Sequence, residues 1–435
     1  MPNLLQHQKW FLHDRFGLFI HWGLYSLASD WEWLHHRLEC SAEDYSHKYF
    51  DHFEPDLFEP EQWADAAAKA GMKYMVITAK HHEGFCLWDS QYTDFKAPNS
   101  LAGKDLLAPT IEAFRKRGIK IGLYYSLLDW HHPHFTIDGY HPLRNHPDRE
   151  KLNQKKDMSV YTEYLHNQVR ELLTGFGKID IIWFDFSYPA GTESRGTDFI
   201  GKTKDDWDSE KLIKMVRQLQ PQIMVNDRLD LKNAWDFTTP EQQDVKEELK
   251  IDGKPITWEA CHTFSGCWGY NRDEECWKST EFAIQLLIDT ISKGGNLILN
   301  VGPTSRGYFD YRAMERLTGI GEWTKKHGRS IYGCGRAPEN FTVPQDCRLT
   351  YNAEKNRLYV HIFNWSCMGL RIENLNGKVK YAQLLNDGSE LKLEAAPEYT
   401  NKWETPKKTG INDLIIKLPV KKPPVAVPVI ELFLK

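Results

Sequence analysis

The residues best suited to chemistry stand where short apolar runs of the sequence end. Six such runs, scattered through the first two thirds of the chain, each end on a histidine, a tyrosine, an arginine or a carboxylate. In chain order they are His21, His81-His82, Tyr125, Asp185, Arg228 and Glu259. One charged residue after one strand is commonly a solvated or helix-capping group. The repetition on six runs predicts that these side chains meet in a single pocket.

Asp185 is the strand-end residue whose surroundings differ most from those of an ordinary solvated carboxylate. It ends an almost wholly apolar run and is flanked by Trp183, Phe184 and Phe186. An ionised carboxylate in such surroundings costs several kcal/mol unless donors or cations hold it. Helix capping or a salt bridge is one explanation for it, and a positioned nucleophile or base is the other. The neighbouring aromatic rings provide an apolar wall on which the face of a sugar can stack.

The kinds of side chain in this pocket indicate the substrate class. Histidines, a tyrosine, an arginine, carboxylates and tryptophans suit a neutral, polyhydroxylated ligand, and two carboxylates are the minimum for glycoside hydrolysis. A metal hydrolase is the competing interpretation, because the pairs His35-His36, His81-His82 and His131-His132 include candidate ligands. Adjacent residues of a strand point to opposite faces, and H-E-x-x-H is absent, so we predict no metal and no other cofactor.

The elements that position these residues follow from the spacing of apolar residues. Near-continuous apolar stretches, typical of strands buried on both faces, alternate with amphipathic helical patterns. The stretches span residues 16–23, 73–81, 120–130, 179–187, 223–228, 256–263 and 296–303. This alternation predicts an α/β fold, a (β/α)8-type barrel over residues 1–335, with an open doubly wound sheet as the alternative. No glycine-rich nucleotide motif follows a strand, which disfavours nucleotide-binding versions of the open sheet.

The pattern changes near Gly335. Short segments with an alternating, period-2 pattern follow at residues 357–364, 377–386 and 414–419. They predict a C-terminal β-sandwich domain over residues 336–435. This second domain carries few convergent polar motifs, so we expect it to serve mainly as structural support.

Composition excludes several functional classes. The 435 residues carry a net charge of −5 and no long basic run, which argues against a nucleic-acid partner. No apolar stretch is long enough to span a bilayer, and the first residues do not resemble a signal peptide. The eight cysteines form no C-x-x-C pair. We therefore expect reduced thiols and a cytoplasmic location. Aromatic residues, 16 tryptophans among them, make up 13% of the chain, which is more than core filling requires.

Short motifs in a fixed order resemble the α-L-fucosidases of glycoside hydrolase family 29. Each motif is weak alone, but together they cover the predicted barrel. They are residues 16–23 (FGLFIHWG), 32–33 (EW), 80–85 (KHHEGF), 124–126 (YYS), 183–185 (WFD), 225–228 (VNDR), 258–259 (WE) and 292–303 (SKGGNLILNVGP). The resemblance implies a barrel followed by a β-sandwich. It also implies a retaining exo-α-L-fucosidase that forms a covalent fucosyl-enzyme intermediate.

The resemblance also implies roles for individual residues. Asp185 is expected to be the nucleophile, although the family more often has glycine where this chain has Phe186. The expected fucose-binding residues are His21, Glu32, Trp33, His81, His82 and Tyr125. Trp183 and Arg228 are expected beside the nucleophile, and Trp268 is expected to face the methyl group on C5 of fucose.

The acid/base has two candidates. Glu241 lies in a loop after the fifth predicted strand, where some members of the family place this residue, and Glu259 lies at a strand end. We favour Glu241, because a loop residue can approach the leaving-group oxygen from the open side. Two other functions stay open: a non-catalytic fucose-binding protein, and a barrel glycosidase for a related sugar.

Overall fold

The computed structural model describes residues 8–190, 199–366, 369–396 and 412–435. The first seven residues, which carry the signal-peptide inference, and Cys367 lie outside this part of the chain. The seven other cysteines are all free. No helix in the described ranges is long and apolar enough to cross a membrane.

Parallel strands form the wall of the N-terminal domain. The strands of this domain are β1 (Phe16–Ile20), β2 (Tyr74–Lys80), β3 (Lys120–Ser126), β4 (Ile181–Asp185), β5 (Met224–Val225), β6 (Lys250–Ile251), β7 (Lys254–Pro255), β8 (Glu259–Thr263) and β9 (Asn296–Val301). Seven of them form one sheet in the order β5-β4-β3-β2-β1-β9-β8, whereas β6 and β7 form a separate hairpin. Apart from Lys120, every residue of the seven strands is buried, as expected for a sheet covered on both faces.

A short eighth segment closes the ring. Phe237 forms a parallel bridge to Asn226, directly after β5, and Thr238 forms a parallel bridge to Trp258, directly before β8. These bridges join the two edges of the sheet, so the predicted (β/α)8-type barrel followed by a C-terminal sandwich is confirmed. The alternative of an open sheet is wrong. The eighth segment was not among the predicted stretches, because it is too short to produce an apolar run.

Helices connect and flank the strands of the barrel. They are α1 (Lys9–Asp14), α2 (Leu34–Leu38), α3 (Ala42–Tyr49), α4 (Pro60–Ala70), α5 (Leu107–Lys116), α6 (Arg149–Asn153), α7 (Met158–Gly175), α8 (Lys204–Trp207), α9 (Ser209–Leu219), α10 (Thr280–Ser292) and α11 (Tyr311–His327). The described chain has no helix between β5 and β8, where a regular barrel has two. The β6–β7 hairpin and irregular chain occupy that stretch instead.

The C-terminal region is a pair of antiparallel sheets. Its strands are β10 (Gly335–Arg336), β11 (Cys347–Asn352), β12 (Arg357–Ile362), β13 (Leu370–Ile372), β14 (Val379–Leu384), β15 (Leu393–Ala395), β16 (Leu414–Ile416) and β17 (Val429–Leu434). The sheets have the orders β10-β11-β12-β17-β14 and β13-β16-β15, and one apolar core joins them. Trp323 of α11 attaches this region to the barrel by donating its indole N–H to the carbonyl of Val427 at 2.8 Å. The domain boundary after residue 335 stays a prediction.

Candidate active site

The candidate site lies at the rim formed by the C-terminal ends of the parallel strands. Side chains from six barrel strands and their following loops line one cavity there. The lining residues are Phe19, His21, Glu32, Trp33, His81, His82, Tyr124, Trp183, Asp185, Phe186, Arg228, Glu241, Cys261 and Trp268. All predicted site residues are in this set except Tyr125 and Glu259. The convergence follows from parallel strands, whose carboxyl ends all point to the same face of the barrel.

Asp185 is the last residue of β4 and is held from both sides. Its Oδ1 accepts a hydrogen bond from Nη1 of Arg228 at 2.7 Å, and its Oδ2 accepts one from the hydroxyl of Tyr124 at 2.7 Å. Nε2 of His82 lies 4.0 Å from Oδ2. The side chain is only 10% exposed. A guanidinium and a phenol therefore replace the water that this carboxylate loses on burial.

Arg228 connects the two candidate catalytic carboxylates. Its Nη2 donates to Oε2 of Glu241 at 2.7 Å, while Nη1 donates to Asp185. The guanidinium also lies over the ring of Trp183, 4.5 Å from its centroid. Burial alone would lower the pKa of Arg228, but Asp185 and Glu241 outweigh it and raise that pKa well above its ordinary value. One permanent cation thus lies in contact with both carboxylates.

The loop that carries Glu241 is fixed by backbone pairing. Glu241 forms a parallel bridge to Cys261 of β8, and the N–H of Gln242 donates to the carbonyl of Cys261 at 3.0 Å. The amide of Gln242 donates to the hydroxyl of Thr263 at 2.8 Å. The Glu241 side chain is nevertheless 41% exposed. The loop therefore places this carboxylate at the open side of the cavity.

Three buried histidines are held in their neutral form. Burial lowers the pKa of His21 to about 3, and it lowers the pKa of His81 and His82 well below the ordinary value. Nδ1 of His21 lies 2.7 Å from Oδ1 of Asn300, so Nδ1 carries the proton and Nε2 is an acceptor.

His82 has the same tautomer as His21. Its Nδ1 lies 2.7 Å from Oγ of Ser126, and that hydroxyl already donates to the carbonyl of Leu128 at 2.8 Å. Nδ1 of His82 must therefore be the donor, which leaves Nε2 as an acceptor. Two ring nitrogens, on His21 and His82, are thus available to accept hydrogen bonds from the hydroxyls of a ligand.

His81 and His82 both line the cavity, contrary to the expectation that adjacent histidines face opposite sides. Strand β2 ends at Lys80, and its register against β3 shifts between Thr78 and Lys80. The strict alternation of a strand therefore no longer applies to the residues that follow. Among the residues with described positions, no group of three or more histidine, cysteine or acidic side chains is arranged to hold a metal ion.

The prediction for Tyr125 is wrong, and Tyr124 occupies the place expected for it. The hydroxyl of Tyr125 donates to Gln168 of α7 at 2.9 Å, on the outer face of the barrel. Tyr124 pairs with Trp183 across β3 and β4 and points inward with it. Because alternate residues share a face, aligning this run with Trp183 and Asp185 would have selected Tyr124 from the sequence.

Glu259 lies inside the barrel beneath the cavity and does not line it. Its Oε2 accepts a hydrogen bond from the hydroxyl of Tyr74 at 2.5 Å, and its Oε1 lies 3.4 Å from the indole nitrogen of Trp183. It is fully buried, and burial raises its pKa to about 7. Glu259 therefore supports Trp183 from below, and no leaving group in the cavity can reach it directly.

Glu32 and Trp268 form the part of the cavity lining next to His21. Oε2 of Glu32 accepts hydrogen bonds from the backbone N–H groups of Trp268 and Gly269, at 3.1 and 3.2 Å. Burial raises the pKa of Glu32 to about 7. The ring of Trp268 lies 5.0 Å from that of His21. Glu32 thus fixes the loop that presents the Trp268 indole as an apolar surface.

Comparisons with known proteins agree on one family. The family model described as "Alpha-L-fucosidase" matches residues 3–329. "Tissue alpha-L-fucosidase" of Bos taurus is 31% identical over 387 residues, which cover 83% of this chain and 76% of that protein. The protein of the same name from Homo sapiens is 29% identical to this chain, and the alignment covers 96% of this chain and 86% of that protein.

Solved structures give the same result. α-L-Fucosidase isoenzyme 1 from Paenibacillus thiaminolyticus is 39% identical, with a TM-score of 0.89 over 99% of both chains. A family 29 α-L-fucosidase from Bacteroides thetaiotaomicron was trapped as a covalent intermediate with 2-fluoro-fucosyl fluoride. It is 27% identical to this chain, with a TM-score of 0.79 over 98% of this chain and 95% of that one.

The buried carboxyl group of Glu259 predicts a pH-dependent stability. Its pKa is about 7 in the folded chain and near the ordinary 4.5 in the unfolded chain. Its stabilising contribution is therefore fully present below pH 4.5 and is lost as the pH rises to about 7. The variant Glu259→Gln cannot ionise there. We expect urea denaturation to show the wild type losing up to about 3 kcal/mol relative to this variant between pH 4.5 and 8.

Glu32 and Glu83, whose pKa values burial also raises to about 7, are unchanged in the variant and so act as internal references. An equal change of unfolding free energy with pH in both proteins would contradict the description of Glu259.

Proposed function

The chain belongs to the α-L-fucosidase family, and from that premise we propose that its cavity hydrolyses terminal α-L-fucosides with retention of configuration at C1. The single observation that carries the proposal is the contact of Arg228 with both Asp185 and Glu241 at 2.7 Å. A retaining glycosidase needs two carboxyl groups about 5–5.5 Å apart, on either side of the scissile bond. Sharing one guanidinium keeps these two carboxylates close together at the same end of the cavity, as the retaining mechanism requires. The substrate is thus a carbohydrate that bears α-L-fucose at its non-reducing end.

In the first step Asp185 acts as the nucleophile. A carboxylate oxygen of Asp185 forms a bond to C1 of fucose, while the bond from C1 to the glycosidic oxygen breaks and leaves its electron pair on that oxygen. Glu241 donates the proton that the departing oxygen needs. The exposed position of its side chain leaves Glu241 room to move from Arg228 to this oxygen once substrate is bound.

In the second step water releases the sugar. Glu241, now a carboxylate, takes a proton from the water. At the same time the water oxygen bonds to C1 of fucose, and the ester bond from C1 to Asp185 breaks. Asp185 regains its charge, which Arg228 and Tyr124 are in place to stabilise. Two inversions give net retention.

The remaining cavity residues suit fucose recognition. Nε2 of His21 and of His82 can accept hydrogen bonds from sugar hydroxyls, since both Nδ1 atoms are already donors. The indole of Trp268 offers an apolar surface for the C5 methyl group. Trp33, His81 and Glu32 complete the proposed fucose pocket, and Trp183 supports Arg228.

We also propose that the protein works in the cytoplasm. The free state of all seven described cysteines supports this location, because reduced thiols are typical of that compartment.

The nucleophile is tested by substitution and chemical rescue. Asp185→Asn should lower kcat/KM for an aryl α-L-fucoside by about four orders of magnitude or more, because no carboxylate can then form the ester. Asp185→Gly with added azide should regain activity and release β-fucosyl azide, since only one inversion occurs. Asp180→Asn is the matched control, because Asp180 lies just before the same strand at the opposite end of the barrel. Full activity of Asp185→Asn would refute the proposal.

The acid/base is tested by varying the leaving group. Glu241→Ala should slow cleavage of a fucosyl disaccharide about 10²- to 10⁴-fold. It should affect the formation of the intermediate from a dinitrophenyl fucoside far less, because that leaving group needs no proton. Glu247→Ala, an exposed glutamate of the same segment, serves as the control. If Glu259→Ala showed the leaving-group dependence instead, Glu241 would not be the acid.

A further inference from the structure

A continuous set of aromatic rings leads outward from the catalytic cavity. We call Trp31, Trp33, Tyr140 and Phe186 the aromatic wall. Trp33 is at its centre, with ring centroids 6.1 Å from Trp31, 5.3 Å from Tyr140 and 5.1 Å from Phe186. All four side chains are partly exposed. Of these four residues, only Trp33 and Phe186 line the cavity. The wall therefore extends beyond the cavity on the side of Trp31 and Tyr140.

Phe186 reaches the wall through an unusual backbone conformation. In an extended strand the residue after Asp185 would face the helices, because adjacent side chains alternate. Phe186 instead has a φ of 83°, a region that favours glycine. The turn brings its ring into the cavity lining beside His82, at a centroid distance of 5.0 Å. Strain of this kind persists at functional sites, where the surrounding structure fixes it.

The outer part of the wall is held by buried polar groups. The carbonyl of Tyr140 accepts a hydrogen bond from Nδ1 of His36 at 2.7 Å, and its N–H donates to Asp138 at 2.8 Å. Asp138 is fully buried and pairs with Nζ of Lys202 at 2.9 Å. The backbone that carries the Tyr140 ring is therefore fixed before any ligand binds, which lowers the entropic cost of binding at this part of the wall.

We propose that the aromatic wall binds the sugar residue to which fucose is attached. This inference rests on the proposed function and adds the class of the leaving group. Its four members are uncharged aromatic rings, which suit the apolar face of a sugar ring. Trp31 and Trp33 are stacked with an angle of 19° between their planes. Together they present flat apolar surfaces that match the C–H face of a pyranose with equatorial substituents, such as N-acetylglucosamine or glucose.

The test compares two substrates that differ in the leaving group. In α-L-fucosyl fluoride the leaving group is one atom and cannot reach Trp31. In the α-1,3-, α-1,4- and α-1,6-linked fucosyl-N-acetylglucosamine disaccharides it is a full ring. We expect Trp31→Ala to lower kcat/KM about two- to ten-fold more for the disaccharide that the wild type cleaves best than for the fluoride. Some loss on the fluoride is expected, because the Trp31 side chain also hydrogen-bonds to Glu32 of the fucose pocket. Trp31→Phe should restore most of the loss.

A second variant and a control separate binding from folding. Phe186→Gly removes a ring of the wall and relaxes the backbone, so it should lower the disaccharide value more than the fluoride value. Tyr381→Ala, in the C-terminal sheet, removes a ring that also contacts one aromatic neighbour, and it should change neither. An equal fall on both substrates, or no fall on the disaccharides, would overturn the role of the wall. So would a wild type that cleaves the fluoride but none of the disaccharides. A wild type inactive on fucosyl fluoride would instead refute the proposed function itself.

Discussion

The site depends on the guanidinium of Arg228, which contacts Asp185 and Glu241 at the same distance of 2.7 Å. Asp185 is nearly buried at the end of an apolar strand, and without a cation its charge would destabilise the folded chain. Arg228 supplies that cation, and the ring of Trp183 beneath it fixes its position. The same contact limits the separation between the two carboxylates, which is the quantity that decides how a glycosidase works.

Closure of the barrel and presentation of the acid/base are one structural event. The short segment that bridges β5 and β8 at Phe237 and Thr238 continues directly to Thr239, which accepts a hydrogen bond from Arg228 at 3.0 Å, and to Glu241. The irregular chain that replaces two helices therefore carries Glu241, one of the two proposed catalytic carboxylates. Beneath it, Glu259 supports Trp183 through the barrel interior.

The fold and several cavity residues at strand ends could be predicted from the residue pattern, because parallel strands bring their ends together whatever their separation along the chain. The loop residues Glu32, Trp33 and Trp268 are implied only by the resemblance to family 29, since no periodic pattern places a loop. The errors are local. Tyr124 and Tyr125 are adjacent residues of the same type, and only the pairing of Tyr124 with Trp183 shows which of them faces inward. Both His81 and His82 line the cavity because of a register shift that the residue types do not predict. The inward turn of Phe186 follows from a positive φ that sequence alone does not assign to a phenylalanine.

The most direct test of the account is to trap the intermediate with 2-deoxy-2-fluoro-α-L-fucosyl fluoride. Fluorine at C2 slows both steps, whereas the good leaving group keeps the first step fast enough for the ester to accumulate. Mass spectrometry of the intact chain should show one added fluorofucosyl group, and peptide mapping should place it on Asp185. A chain that gains no label while it still cleaves fucosides, or a label on Glu241 or Glu259, would contradict the account.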